Sequence, residues 1–341
     1  MEPEPPRFDV AFNHDGFGML AELAETEMTE EDAARVLVDP FRDSAVTVID
    51  WCILTTGQHN CRTRHGRGFV GDGQGREVDR RIGKVVSHFN DQPNDLLDVV
   101  IHRGHAAGLR VFGNIRLNHG ALNRERLLSC PGRNAAGKKD FRDAAFHTYL
   151  CELVEDLLDK GVDGISLDFE RKAPFFPDAA PMLERTQATT AFLHRVRALT
   201  DKPITVRVSH DRCNGEPQGQ APAQWIAQGL VDVVVPATHN HEPDSLDWPF
   251  ERFLEAARMS PRPCRVWPQI WPTGEHWQGG EATPYPPAAI LRRVQQIRDS
   301  GAQGAYFFNF CCFGSQSAYV PMFGQMQKGQ AARDHARPQQ R

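Results

Sequence analysis

Residues 161–170 read Gly161-Val162-Asp163-Gly164-Ile165-Ser166-Leu167-Asp168-Phe169-Glu170. A glycine suited to end a helix precedes a short run of aliphatic residues interleaved with polar ones, which is how a strand entered from a helix reads. Successive side chains in a strand point to opposite faces. Ile165, Leu167 and Phe169 therefore share one face, and Gly164, Ser166, Asp168 and Glu170 share the other. The apolar set must pack against helices, so two carboxylates look into whatever lies on the far side of the strand.

Outward from this stretch the same unit repeats. Strands are expected at Phe8–Asn13, Ala45–Leu54, Leu109–Leu117, Gly164–Glu170, Ile204–Ser209, Val231–Ala237, Arg265–Ile270 and Gly304–Phe310. Amphipathic helical patterns lie between them at Glu30–Phe41, Leu96–Ala107, Ala144–Lys160, Thr186–Thr200, Ala221–Gly229, Phe250–Met259 and Pro287–Ser300. Gly108, Gly161 and Gly301 each fall where a helix must stop before a strand. Eight strands in alternation with helices predict an α/β fold, a single (β/α)8 TIM barrel over residues 1–326. An open doubly wound sheet would carry a Gly-rich nucleotide loop after its first strand, and Phe12-Asn13-His14-Asp15-Gly16 is not one. Residues 327–341 form a polar, Pro- and Gln-rich tail expected to be disordered. The segment Thr55–Pro93 is expected to be an unusually long βα loop, of a size that is usually functional or mobile.

Composition narrows the function classes. The 341 residues hold 39 Lys and Arg against 44 Asp and Glu, a net charge of -5, with no clustered basic surface for a phosphate backbone, so nucleic acid is excluded as a partner. No apolar stretch approaches the ~18–20 residues that cross a bilayer, so no membrane span is expected. The start, Met1-Glu2-Pro3-Glu4-Pro5-Pro6, is acidic where a signal peptide is basic and then apolar, which points to a cytoplasmic protein. The 8 cysteines are dispersed without a CxxC pair, so reduced thiols are expected, and no cofactor motif is present.

In such a barrel chemistry sits at the C-terminal ends of the strands. Strand parity nominates Asn114 and Arg116, followed by Asn118, on the third strand, Arg207 with His210 beyond it on the fifth, and Gln269 and Trp271 on the seventh. Asn13 and Asp15 follow from the first strand, Trp51 from the second, His239 and Asn240 from the sixth and Asn309 from the eighth. Aromatic faces beside amide and guanidinium donors suit sugar rings, whose C–H faces stack and whose hydroxyls need paired donors and acceptors. Carbohydrate is therefore the expected ligand. Two structural alternatives accompany it: Asp168 and Glu170 as ion pairs with Arg207 and Arg116 inside the barrel, and Trp267 as filler of a barrel layer. The strand-end histidines His14, His119, His210, His239 and His241 leave a metal-dependent hydrolase as a competing reading, although the first strand lacks the HxH spacing of such enzymes.

The run Asp163-Gly164-Ile165-Ser166-Leu167-Asp168-Phe169-Glu170 resembles the fourth-strand signature of the family 18 glycoside hydrolases, departing from it at Ser166, where that family usually has an inward aspartate. With Arg171, Pro174 and the approach His105-Ala106-Ala107-Gly108-Leu109-Arg110-Val111, the layout is also similar to the glycosyl-hydrolase-like family 10 barrels. The resemblance implies a TIM-barrel glycosidase in which Glu170 protonates the glycosidic oxygen and Asp168 orients it or the substrate. The family 18 Tyr-Asp pair after the sixth strand is absent from Pro236-Ala237-Thr238-His239-Asn240, so a chitin-type substrate-assisted mechanism is not expected.

Glycoside hydrolysis needs a protonated carboxyl and a second group. Glu170 can stay protonated if Asp168 beside it is ionised. Asp15, Asp211, Glu242 and Glu275 are candidates for the second group, of which Asp15 is chosen, with an inverting outcome. A catalytically silent barrel that binds glycan is the remaining alternative.

Overall fold

The computed structural model describes residues 8–15, 18–55, 58–64, 67–71, 76–117, 140–170, 175–238, 248–273 and 284–326. The strands are β1 (Asp9–His14), β2 (Val48–Cys52), β3 (Arg110–Arg116), β4 (Gly164–Asp168), β5 (Ile204–Ser209), β6 (Val233–Ala237), β7 (Arg265–Val266 and Gln269–Ile270) and β8 (Gly304–Phe307). All neighbours in the sheet are parallel. Nine strand segments lie in that sheet, and the two at its ends are the two pieces of β7, so eight strands close into a ring. Across the join, the Trp267 N–H donates to the Val234 carbonyl at 2.9 Å on one side, and the Tyr306 N–H donates to the Pro268 carbonyl at 3.1 Å on the other. The expected unbroken strand Arg265–Ile270 is interrupted at Pro268 because proline has no N–H for the ladder.

The helices are α1 (Gly18–Leu23), α2 (Glu30–Leu37), α3 (Glu77–Asn90), α4 (Leu96–Ala106), α5 (Ala144–Asp159), α6 (Met182–Leu199), α7 (Pro222–Ala227), α8 (Glu251–Met259) and α9 (Pro287–Asp299), with a short helical turn at Arg212–Gly215. Two of the entries are tightly capped: Thr29 before α2 and Asp95 before α4 each accept from backbone N–H groups in capping boxes. Gly161 has φ +92°, a left-handed end that a side chain would strain, and Gly108 and Gly301 do the same at +74° and +87°. These three glycines turn helix into strand as expected.

The segment Thr55–Pro93 is not one long loop. Its first part folds back as a small sheet of Leu54–Thr55, Gln58–His59 and Arg67–Gly68, and α3 fills the second part, burying Ile82, Val85, Val86 and Phe89. Gly83 of α3 lies against the Val70 backbone, where a Cβ would come within 2.4 Å. The residues from 327 onward lie outside the described residues.

Two apolar cores result. One fills the space between the sheet and its helices and includes Ile49, Trp51, Ile165, Leu167, Phe169 and Val206. The other, Ala11, Val48, Phe112, Val233, Val235, Trp267, Tyr306 and Phe308, fills the barrel itself. Gly164 and Gly304 make room in it, since a Cβ would meet the Phe112 ring at 2.8 Å and the Trp267 ring at 2.5 Å. Trp267 thus takes the layer-filling role, stacked on Phe112 with ring centroids 6.5 Å apart. This plug leaves only the upper end of the barrel for polar chemistry.

Candidate active site

Below the plug, at the N-terminal end of the strands, Asp9 accepts from Arg110 at 2.5 Å, from Thr47 at 3.0 Å and from Arg265. Above it the lumen turns polar, because the next inward position on most strands is an amide, hydroxyl or charge. Asp50 of β2 is the centre of the first polar layer: one carboxylate oxygen accepts from Asn13 at 3.0 Å, from Asn114 at 2.8 Å and from the Tyr306 hydroxyl. The Asn114 amide also donates to the Ser166 hydroxyl at 3.1 Å. Burial pushes the Asp50 carboxyl up to about 6, against the hydrogen bonds from Tyr306, Asn13, Asn114 and Ser166 that favour its charge. The acid that the family 18 pattern would place at position 166 is absent from β4, and a carboxylate from β2 stands beside the Ser166 hydroxyl instead.

The next layer carries the charges. Asp168 pairs in register with Arg116 on β3 and with Arg207 on β5, and its salt bridge goes to Arg207, whose Nη1 donates to both carboxylate oxygens at 2.8 and 3.0 Å. Arg207 is further fixed by a 2.6 Å bond from Nε to Gln269 and by the Phe308 ring 3.8 Å below it. Gln269 in turn donates to Thr238 at 3.4 Å. The expected internal ion pair therefore forms for Asp168 with Arg207.

Glu170 is on the same face of the chain just past the end of β4. Its N–H donates to Asp168 Oδ1 at 2.9 Å, while its own Oε2 is buried without a hydrogen bond. Burial pushes the Glu170 carboxyl up to about 8; Arg207 opposes this, the negative Asp168 and Asp211 reinforce it, and a hydrogen bond with Gln220 opposes it. Gln220 is held in place by the Ser209 N–H at 2.8 Å and by the Phe169 carbonyl at 3.2 Å. The site thus sets a carboxyl pushed up to about 8 next to an arginine-paired aspartate.

Asp15 follows β1 and is buried with Arg116 Nη2 at 3.6 Å. Its Oδ1 accepts from the Cys311 thiol at 2.9 Å, and its other oxygen faces the Cys312 sulfur at 3.7 Å. The ligand atoms of Asp15, Cys311 and Cys312 lie within 4.8 Å of one another, the one metal-compatible cluster among the described residues. Burial, with the bond from Cys312 and the negative Asp15, pushes the Cys311 thiol well above its usual range. The Cys311 thiol donates to Asp15, with the Arg116 guanidinium alongside. The described strand-end histidines take no part in it. His14 is fully buried with its ring stacked 4.6 Å from Trp51, and burial lowers its pKa to about 4. His210 packs beside Trp248 at 5.1 Å.

Not all of the expected sugar contacts face the lumen. Trp51 does not: Asp50 takes the inward position on β2, so Trp51 points to the helix layer, fully buried, and donates to Asn60 at 3.1 Å. On β8 the inward positions belong to Tyr306 and Phe308, and Asn309 sits beyond the strand at φ +61°. Trp271 lies at the rim, partly exposed, against Phe308 at 5.2 Å and bonded to Thr273 at 2.8 Å. Asn118, His239 and Asn240 lie outside the described residues, as do Glu242 and Glu275. Sequence parity missed Asp50 and Tyr306, although a lone carboxylate in the apolar run Val48-Ile49-Asp50-Trp51 was a signal for the first.

No family model matches the chain, and no curated protein matches it. Solved structures do. The barrel is similar to the endo-beta-1,4-mannanase of Thermotoga petrophila, with a TM-score of 0.57 at 10% identity over 96% of this chain and 77% of that one. It is also similar to a chitinase of Bacteroides thetaiotaomicron, with a TM-score of 0.52 at 10% identity over 94% and 98% of the two chains. Alpha-L-fucosidase isoenzyme 2 of Paenibacillus thiaminolyticus gives a TM-score of 0.58 at 12% identity over 98% of this chain and 51% of that one. At these identities the likeness is one of fold alone: the chain is a (β/α)8 barrel.

Proposed function

We propose that the protein is a glycoside hydrolase in which Glu170 is the general acid. The observation that carries this reading is the pairing of a buried Glu170, just past the end of β4, with an arginine-held Asp168 on the same face of the chain. An acid with a pKa near 8 is protonated at neutral pH and can give its proton to a leaving glycosidic oxygen. Asp168, fixed by Arg207 and by the Glu170 N–H, lies beside it and holds the local backbone.

Asp15 at the end of β1 is the proposed second group, acting as base on a water in an inverting reaction. The Arg116 guanidinium lies 3.6 Å from it. The open acceptors of Asn13, Asn114 and Glu170 and the open donor Nη2 of Arg207 are the hydrogen-bonding complement of sugar hydroxyls. Trp271 at the rim offers a face for a sugar ring, and His210, just past β5 and packed on Trp248, is a further proposed contact.

The test is turnover on a panel of oligosaccharides, read as new reducing ends, by wild type and by Glu170→Gln. The wild type should cleave at least one member, and the variant should lose about 10²- to 10⁴-fold in kcat while still binding it. Undiminished turnover by a folded variant overturns the assignment of Glu170. Binding without cleavage by wild type across the panel overturns the hydrolase reading in favour of a glycan-binding barrel.

A further inference from the structure

We infer that the glycan bound at this site carries a carboxylate, as a uronic acid does, and that Arg116 is the residue that recognises it. This rests on the carbohydrate reading above and names the class of sugar. Arg116 is the last residue of β3, on the same face as Asn114, whose amide reaches Asp50 inside the barrel. Its side chain is fully buried, yet none of Nε, Nη1 and Nη2 makes a hydrogen bond. Five N–H donors on a permanently charged group are thereby withdrawn from water without replacement, which is among the costlier arrangements a core can hold.

The neighbouring carboxylates do not fill this role. Asp168, next to Arg116 in register, gives both oxygens to Arg207. Asp15 approaches no closer than 3.6 Å, and its oxygens are turned to Cys311 and Cys312. The two arginines on either side of Asp168 thus differ: Arg207 is hydrogen-bonded to its counter-ion, whereas Arg116 has only the longer 3.6 Å ion pair with Asp15 and no hydrogen bond. A planar oxyanion bound side-on to a guanidinium forms two parallel charge-assisted bonds, a match that a carboxylate makes and a neutral hydroxyl cannot. A monoanion adds one negative charge, whereas a phosphate dianion would add two to a lumen that already holds Asp15, Asp50 and Asp168.

The test uses full-length protein, with the Glu170→Gln variant as binding reporter so that turnover is not required. Titration calorimetry with D-glucuronate, D-galacturonate and D-mannuronate is compared with their methyl esters, their neutral parent sugars, inorganic sulfate and inorganic phosphate. At least one uronate should bind about ten- to a hundredfold more tightly than its own ester and parent sugar. Arg116→Gln should abolish that preference, and Arg116→Lys should restore only part of it because the ammonium keeps the charge without the fork. No uronate exceeding its ester, a preference surviving in Arg116→Gln, or sulfate or phosphate binding in place of every uronate would each overturn the inference. The ester comparison on unsubstituted Arg116 stands even where the Arg116 variants do not fold. Cleavage of neutral glycans without uronate preference would sink this inference and spare the hydrolase reading; uronate preference without cleavage would do the reverse.

Discussion

The two ends of the barrel lumen use the same residue types to opposite effect. At the bottom one aspartate, Asp9, is shared by Arg110 and Arg265, whose side chains remain 40% and 42% exposed, so water completes what the carboxylate does not. At the top Arg116 and Arg207 flank Asp168 with no exposure at all, and only one of them is bonded to it. A satisfied, screened cluster closes a barrel cheaply, whereas a dry and incompletely paired one costs stability and is kept where charge is put to use. The difference is one of solvent access and pairing, not of composition.

Three measurements can break or sharpen that contrast. The largest stability effect is expected for Asp168→Ala, which strands the Arg207 charge in the dry lumen: unfolding in denaturant should show a loss of about 3–5 kcal/mol. A loss well below this would mean that water reaches Arg207.

Next comes the pH dependence that Glu170 imposes. Its pKa rises from the ordinary 4.5 to about 8 on folding, so the native chain holds a proton that the unfolded chain releases. The stability this confers is complete below about pH 4.5 and is lost as pH rises through about 8. Glu170→Gln lacks this loss, so its stability relative to wild type should climb by on the order of 4 kcal/mol between pH 5 and 9. A parallel pair of stability curves would show that Glu170 is solvated. With Glu170 in the proposed role, kcat/KM should fall above about pH 8.

The smallest change is expected at the bottom, where Asp9→Asn breaks ion pairs that solvent already screens. A cost of ~1 kcal/mol in thermal or denaturant unfolding is expected, shrinking further with added salt, while uronate binding at the other end is unaffected. A cost equal to that of Asp168→Ala would erase the distinction between the ends.

Much of the architecture is legible in local pattern. The alternation on β4 separates Ile165, Leu167 and Phe169, which pack under the helices, from Ser166 and Asp168, which do not. The helix α3 was equally legible in Ile82, Val85, Val86 and Phe89, but the Gly-, His- and Arg-rich stretch before it obscures the periodicity. On β2 both faces carry apolar residues, Val48 and Cys52 on one and Ile49 and Trp51 on the other, so parity has no polar-apolar contrast to work with. Trp51 then looks like a sugar platform, although it is Asp50 that enters the lumen.

Which side of its strand a residue takes follows from the chain's own period, and so the inward carboxylates and arginines can be named from neighbours one or two positions away. Who bonds to whom cannot. Asp168 lies between two arginines that the sequence presents as equivalents, and only the register of β3, β4 and β5, with Gln269 and Phe308 supporting Arg207 from the far wall, gives one of them the counter-ion. Asp50 meets Tyr306 across a separation of 256 positions for the same reason. Closure of the ring brings those strand ends together, and with them the burial that pushes the Glu170 carboxyl up and leaves the Arg116 guanidinium without a hydrogen bond.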